Sequence, residues 1–221
     1  MTNVAGSMQK RSDDSTCESR WWVVATAWGY CGMVWRVAKG GAGAVVEPGQ
    51  SVLLKIVAAQ PSLSALCRQI RREFPQAQRQ RDDLGRKQRS ASGHHRVAKL
   101  AQFLRDYYQG GRRERYFDTA IWADWQPNLD VGGLSDFAQN VLQLTSQIPP
   151  GCTRTYGEIA AGVGRAGAAR AVGRVLAGNP FPILIPCHRV LGKSGEMTGF
   201  SAPGGVAAKK AMIESEAHTG S

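Results

Sequence analysis

The sequence predicts a mixed α/β (α+β) chain: a small antiparallel sheet first, then a helical second half. Three observations carry this. Residues 21–56 are rich in Trp, Val and Gly and read as short strands with a turn between. From Ser135 onward apolar residues recur at helical spacing, broken by Gly and Pro. At 221 residues, 43% of them hydrophobic, the chain is large enough for one large or two small domains with a core.

Each element has its own reason. Trp21 to Thr26 reads as a strand, Gly29 to Gly32 as a turn, Met33 to Val37 as a second strand and Val52 to Val57 as a third. Ser62 suits a helix N-cap, and Leu63, Leu66 and Ile70 share one face of a helix reaching Phe74. Val97, Leu100, Phe103, Leu104 and Tyr107 set a second helix, stopped by Gly110-Gly111. Ser135 caps a third, with Phe137, Val141, Leu144 and Ile148 inward and Pro149-Pro150-Gly151 ending it.

The segments between these elements divide the chain. Residues 1–20 are polar and read as a disordered lead, without the apolar run of a secretory signal. An N-terminal α/β domain follows over 21–115, with a basic polar insert near 76–93. A connection over 116–133 leads to a C-terminal domain over 134–221. No stretch is long and apolar enough to cross a bilayer, so the reading is a soluble protein of the cytoplasm, nucleoid-associated in a bacterium or nuclear in a eukaryote.

The net charge of +11 points to a polyanion, DNA or RNA first. Its distribution weakens that argument. Arg68–Arg115 holds 14 Lys/Arg against 5 Asp/Glu, whereas 134–221 holds 8 against 5. The basic stretch from Arg79 to Arg96 is equally a solvated linker. Five cysteines without a CxxC pair fit reduced thiols better than a disulfide framework or a zinc knuckle. Cys17 and Cys31 with His94 or His95 lack metal-ligand spacing.

Two short helices, from Thr155 to Ala161 and from Ala168 to Leu176, flank Gly162-Val163-Gly164. This fits a helix-turn-helix. Small residues on the second helix serve close packing or close approach to DNA, and the pattern alone does not separate the two. The chemistry lies in Asn179-Pro180-Phe181-Pro182-Ile183-Leu184-Ile185-Pro186-Cys187-His188-Arg189-Val190. Prolines fix the backbone around a thiol that has a histidine beside it. A free thiol with a pKa of about 8.5 needs such a base to become a nucleophile at neutral pH. A structural thiol next to a surface histidine produces the same dipeptide. The flanking prolines and the upstream helix pair favour the nucleophile.

Pro186-Cys187-His188-Arg189-Val190, with Gly178-Asn179-Pro180 and Ala169-Arg170-Ala171-Val172-Gly173 before it, resembles the 6-O-alkylguanine-DNA alkyltransferase family. So do Thr155-Tyr156-Gly157-Glu158-Ile159-Ala160 and Gly204-Gly205-Val206 with Lys209. The resemblance runs from about Phe137 to Glu216. The first half is similar only through its Trp-Gly strands and the helix from Val97 to Tyr108.

The resemblance implies a ribonuclease-H-like N-terminal domain and a helix-turn-helix that enters the minor groove of double-stranded DNA. It implies irreversible transfer of an alkyl group from a flipped guanine to Cys187, once per molecule, by a monomer without cofactor or metal. His188 is then the base through a water, Glu216 (or its neighbour Glu214) orients it, Asn179 holds the turn, and Tyr156 donates to the guanine. Arg170 takes the place of the flipped base, or serves only as a phosphate contact. Ala169, Ala171, Gly173, Thr155 and Arg189 are implied at the DNA surface. Pro182, Val190, Phe200 and Ser201 are implied around the substrate.

The loop from Met197 to Gly205 departs from the commoner family versions. Phe200 stands near a position where tyrosine is frequent, and Pro203 has no N–H to offer, while Ser201 has one. Two other readings remain in view. An alkyltransferase-like module binds damage without transfer, but such relatives typically carry Trp at the position of Cys187. A regulator of transcription would bring an extra metal-binding domain, whose four-cysteine signature the N-terminal half lacks.

Overall fold

The computed structural model describes residues 17–38, 51–80, 92–109 and 119–217. Strands β1 (Cys17–Thr26), β2 (Gly29–Ala38) and β3 (Ser51–Gln60) form the sheet. A short β4 (Gln78–Arg79) completes it in the order β3-β2-β1-β4. β1–β2 and β2–β3 are antiparallel, and β1–β4 is parallel.

Alternation along the strands splits the side chains between two faces. Trp21, Val34 and Val57 face α1 (Leu63–Glu73), packing with Leu66 and Ile70. Trp22, Val24, Met33, Trp35, Leu53 and Ile56 face the main core, which they share with the second half of the chain. On that side lies α2 (Ser92–Tyr108), whose Val97, Leu100 and Leu104 are buried. Burying each such side chain is worth about 1.5–3 kcal/mol.

The two strands of the first hairpin meet at Gly29, with φ +117. A Cβ there would lie 2.2 Å from the carbonyl oxygen of Gln60, a backbone atom that cannot swing away. Gly29→Ala is therefore expected to cost at least about 2 kcal/mol, read as a lower melting temperature. An unchanged melt would show that the hairpin tip can rearrange freely.

The sheet is longer than its sequence pattern. β1 starts at Cys17, inside the segment read as a disordered lead, and residues 1–16 lie outside the described residues. Gln78 and Arg79 of the presumed insert add to the edge of β1, and the amide of Gln80 donates to the carbonyl of Trp21. Residues 81–91 of that insert, like Gly110-Gly111, lie outside the described residues.

The connection over 116–133 is also more than a linker. It holds α3 (Thr119–Trp125) and a 3-10 turn (Gln126–Asn128). Leu129 then bridges to Leu53 of β3. Trp125, Leu129 and Val131 are buried in the main core.

The second half comprises α4 (Asp136–Ser146), a two-residue β5 (Arg154–Thr155), α5 (Tyr156–Gly162) and α6 (Ala169–Ala177). A 3-10 turn (Cys187–Arg189), β6 (Val190–Leu191) and α7 (Gly205–Ala217) complete it. β5 pairs with β6 in parallel. Ser62 and Ser135 cap α1 and α4 as their positions predict, each accepting from a backbone amide three residues on. Among the described residues no helix is long and apolar enough to cross a membrane.

Candidate active site

Asn179 organises the turn before Cys187. Its Oδ1 accepts from the amide of Phe181 (3.0 Å) and its Nδ2 donates to the carbonyl of Ile185 (2.8 Å). Between these anchors Ile183 adopts φ 75, a strained conformation for a β-branched residue that costs about 1–3 kcal/mol. Outside the turn, the amide of Ile56 on the outer edge of β3 donates to the carbonyl of Pro180 (2.8 Å). The turn is thus clamped from within by Asn179 and from outside by the sheet.

Asn179→Ala removes both inner bonds and releases the strain at Ile183. It is expected to lose about 2–3 kcal/mol of stability. Displacement of Cys187 is expected to slow its reaction about 100-fold. A calorimetric scan with a single-turnover rate checks both, and wild-type reactivity would sink the clamp.

Cys187 opens the 3-10 turn and lines a cavity of about 690 Å³. Burial pushes its thiol up, and the Asn179 amide and Lys209 ammonium offset this only in part. The resting side chain is therefore a thiol and needs a base.

The next residue, His188, is fully buried. Its Nε2 lies 2.8 Å from Oε1 of Glu216. A carboxylate only accepts, so Nε2 carries the hydrogen and the lone pair sits on Nδ1. That Nδ1 is buried and has no hydrogen-bond partner among the described residues. Burial pushes the His188 pKa down, against the pull of Glu216, so the ring is neutral and able to accept a proton.

Glu216 is 1% exposed and heavily bonded. Arg189 grips it bidentately, Nε to Oε2 at 2.8 Å and Nη2 to Oε1 at 2.9 Å. Burial pushes this carboxyl up, but bonds from His188 and Arg189 outweigh burial and bring it to about 2. Glu214 does not compete for the role, because it is exposed and pairs with Lys210 at 3.7 Å.

Arg189, expected at the DNA surface, lies elsewhere. It is 2% exposed, holds Glu216, and donates from Nη1 to the carbonyl of Ile148 (2.5 Å). The buried carboxylate needs a second cation beside it, and Arg189 supplies one. Val190, expected at the substrate, has no exposed surface. It offers its carbonyl to Lys209 instead (2.7 Å). Pro182 pairs with Ile185 within the turn and is absent from the cavity lining.

The other wall of the cavity comes from α5 and α6. Thr155 caps α5 in a capping box: its hydroxyl accepts from the amide of Glu158 (3.1 Å), whose carboxylate accepts from the amide of Thr155 (2.6 Å). This fixes the first turn, from which Tyr156 enters the cavity. Val172 and Leu176 turn α6 into the core, so Ala169, Arg170 and Gly173 line the cavity. Ala171 is half-buried and does not line it. A Cβ at Gly173 would stand 3.8 Å from the Tyr156 ring, an ordinary van der Waals contact.

Phe200 and Ser201 also line the cavity, and the Ser201 hydroxyl donates to the carbonyl of Ala177 at the end of α6 (2.9 Å). Lys209, 1% exposed, has its ammonium 3.4 Å from the Tyr156 hydroxyl and 5.6 Å from the ring centre. Sequence reasoning gave Lys209 no role. Its signal was a lysine on the same helical face as Met212 and Glu216, all three buried.

Known proteins give the same picture. Residues 136–218 match the 6-O-methylguanine DNA methyltransferase DNA-binding domain. A methylated-DNA–protein-cysteine methyltransferase of Mycobacterium bovis is 47% identical over 93 residues, 42% of this chain and 54% of that protein. Its counterpart from Methanothermobacter thermautotrophicus is 44% identical over 120 residues, 54% of this chain and 61% of that protein. The chain thus spans about half the length of the curated relatives it matches.

A crystal structure of Mycobacterium tuberculosis OGT in complex with DNA is 28% identical, with a TM-score of 0.57, over 90% of this chain and 94% of that one. The O6-methylguanine-DNA methyltransferase of Pyrococcus kodakaraensis has the same fold at 19% identity, with a TM-score of 0.51 over 89% of this chain and 98% of that one. In its Cys187 segment, its fold and these relatives, the chain is similar to the 6-O-alkylguanine-DNA alkyltransferase family.

Proposed function

We propose that this protein repairs DNA by direct reversal, moving the alkyl group of a 6-O-alkylguanine onto Cys187. One observation carries the reading: Cys187 lines an open cavity while the adjoining His188, held by Glu216, keeps an unpaired nitrogen.

In the step, the Cys187 proton passes through a water to Nδ1 of His188. The thiolate attacks the alkyl carbon, a C–S bond forms, and the C–O bond breaks with its electron pair left on the guanine. The Tyr156 hydroxyl donates to that developing charge, and the Lys209 ammonium beside it makes up the proton. Glu216 stabilises the imidazolium that results. The thioether has no leaving group for water to displace easily, so each molecule reacts once.

The base reaches the cavity by leaving the duplex, which costs on the order of a few kcal/mol. Arg170, exposed at the cavity mouth, fills the gap in the stack. α5 and α6 serve as a helix-turn-helix, and Ala169, Ala171 and Gly173 keep α6 slim enough for the minor groove. All reacting groups belong to one chain, which fits action as a monomer wherever the cell keeps its DNA, the cytoplasm in a bacterium or the nucleus in a eukaryote.

The test is a duplex with one 6-O-methylguanine carrying a labelled methyl group. One label per protein molecule is expected, on the peptide containing Cys187. DNA that keeps its label refutes the reading.

A further inference from the structure

We propose that Tyr107, in the last turn of α2, is a positioning residue for His188, so that the N-terminal half completes the acceptor site; the proposal rests on the transfer reading above. Tyr107 is 3% exposed. Its hydroxyl lies 3.0 Å from Oε1 of Glu216 and 3.1 Å from Nε2 of His188. The carboxylate can only accept, so the hydroxyl hydrogen goes to Glu216. The phenol oxygen is then left as an acceptor, and Nε2–H of His188 donates to it as well as to Glu216. Both neighbours of Nε2 therefore demand the same tautomer, the one with its lone pair on Nδ1.

The hydroxyl is suited to hold this role. Burial pushes the Tyr107 pKa well up, and the charge of Glu216 pushes it the same way, so the group stays a protonated donor. The tyrosine ring also stands edge-on to the imidazole, with centroids 6.0 Å apart and planes at 63°. This fixes the imidazole plane, which a single carboxylate contact leaves free to rock.

Tyr107 owes its own position to the N-terminal half. α2 is anchored through Val97, Leu100 and Leu104 beneath the sheet, and β3 of that sheet grips Pro180 just ahead of the reactive turn. The N-terminal half thus touches the site at the turn that carries Cys187 and at the base.

The experiment uses the full chain with Tyr107→Phe, which keeps the ring and removes the hydroxyl. Transfer at neutral pH is expected to fall about tenfold or more, as for loss of a hydrogen bond to a charged group. The acid limb of the rate profile is expected to move to higher pH, because Glu216, relieved of one donor, holds the imidazolium more tightly. The ring-nitrogen chemical shifts of His188 are expected to draw together as the second tautomer gains population.

Leu66→Ala, in the small core on the far face of the sheet, serves as the control for mere loosening. It should lower the melting temperature and leave the rate unchanged. A Tyr107→Phe protein with wild-type rate, acid limb and His188 shifts overturns the proposal, as does equal slowing by Leu66→Ala. If the wild-type protein takes no label, the transfer reading fails, while the His188 shifts still decide the role of Tyr107.

Discussion

Cys187→Ala is expected to lose alkyl transfer altogether while keeping the fold and the affinity for alkylated duplex. The substitution deletes one sulfur that lines the cavity and packs only at the edge of the core, so the cost is expected to stay at about 1 kcal/mol. The backbone of the turn is set by Asn179, Pro180 and the edge of β3, none of which touches that sulfur through a bond the turn depends on. Arg170, Ala169 and Gly173 on α6 keep their places in the cavity lining. Among the described residues the cavity lining holds no second thiol: Cys152 is exposed and lies outside it, and Cys31 is a core thiol that burial pushes up to about 12. Incubation with labelled duplex, followed by a gel-shift titration, measures both halves of this expectation. Label on the alanine variant would place the acceptor elsewhere. Tight binding by the wild-type protein without transfer would instead make it a damage-binding module.

Glu216→Gln is expected to be the most destabilising of the conservative changes at the site. The amide keeps the shape but removes the only carboxylate among the described residues that pairs with Arg189, leaving a buried cation uncompensated at a cost of about 3–5 kcal/mol. It also removes the anion that supports a protonated His188, and general-base help is worth about 10²–10⁴ in rate. Chemical denaturation gives the first quantity and single-turnover transfer the second. Stability and rate both near wild type would refute the arrangement.

The same carboxylate sets an acid dependence. In the unfolded chain it titrates at about 4.3, and in the fold at about 2. Its contribution is therefore complete above the unfolded value and is lost as pH falls toward the folded one. His188 acts in the same direction. Its folded pKa is lowered by burial, so the unfolded chain takes up its proton first, from about pH 6.5 downward. The melting temperature of the wild-type protein should decline below about pH 6.5 and more steeply below about pH 4.5. Glu216→Gln should start lower at neutral pH and lack the steeper part. Parallel curves for the two proteins would show that another group governs the acid limb.

Much of this was legible in the residues themselves. Caps at Ser62 and Ser135, helical spacing from Val97 to Tyr107, and the alternation in β1 to β3 are local patterns, governed by neighbours a few residues apart. So is the Thr155-to-Glu158 capping box. The segment around Cys187 announced its chemistry because thiol, histidine and prolines are contiguous there. Short range also explains the errors. β1 was cut short because Cys17 to Arg20 are polar on both sides of the alternation, and β4 escaped because two residues carry no period. The 116–133 connection looked like a linker because its burial comes from β3, far away in sequence.

What only the tertiary structure decided is which polar residues are buried together. Arg189 follows Cys187 and His188 in the half that matches a DNA-binding domain, and sequence logic sends such an arginine to phosphate. The fold turns it inward, because Glu216 arrives from α7 and a buried carboxylate needs a cation beside it. Tyr107 looked like one more apolar position on a helix, and Lys209 like a residue of a motif without a task. Both are committed to the site by contacts spanning 109 and 53 residues of chain, to Glu216 and Tyr156. Periodicity reports which face of a helix is buried. It does not report what that face meets, and at this site the partners determine the tautomer of His188, the charge on Glu216 and the depth at which Cys187 waits.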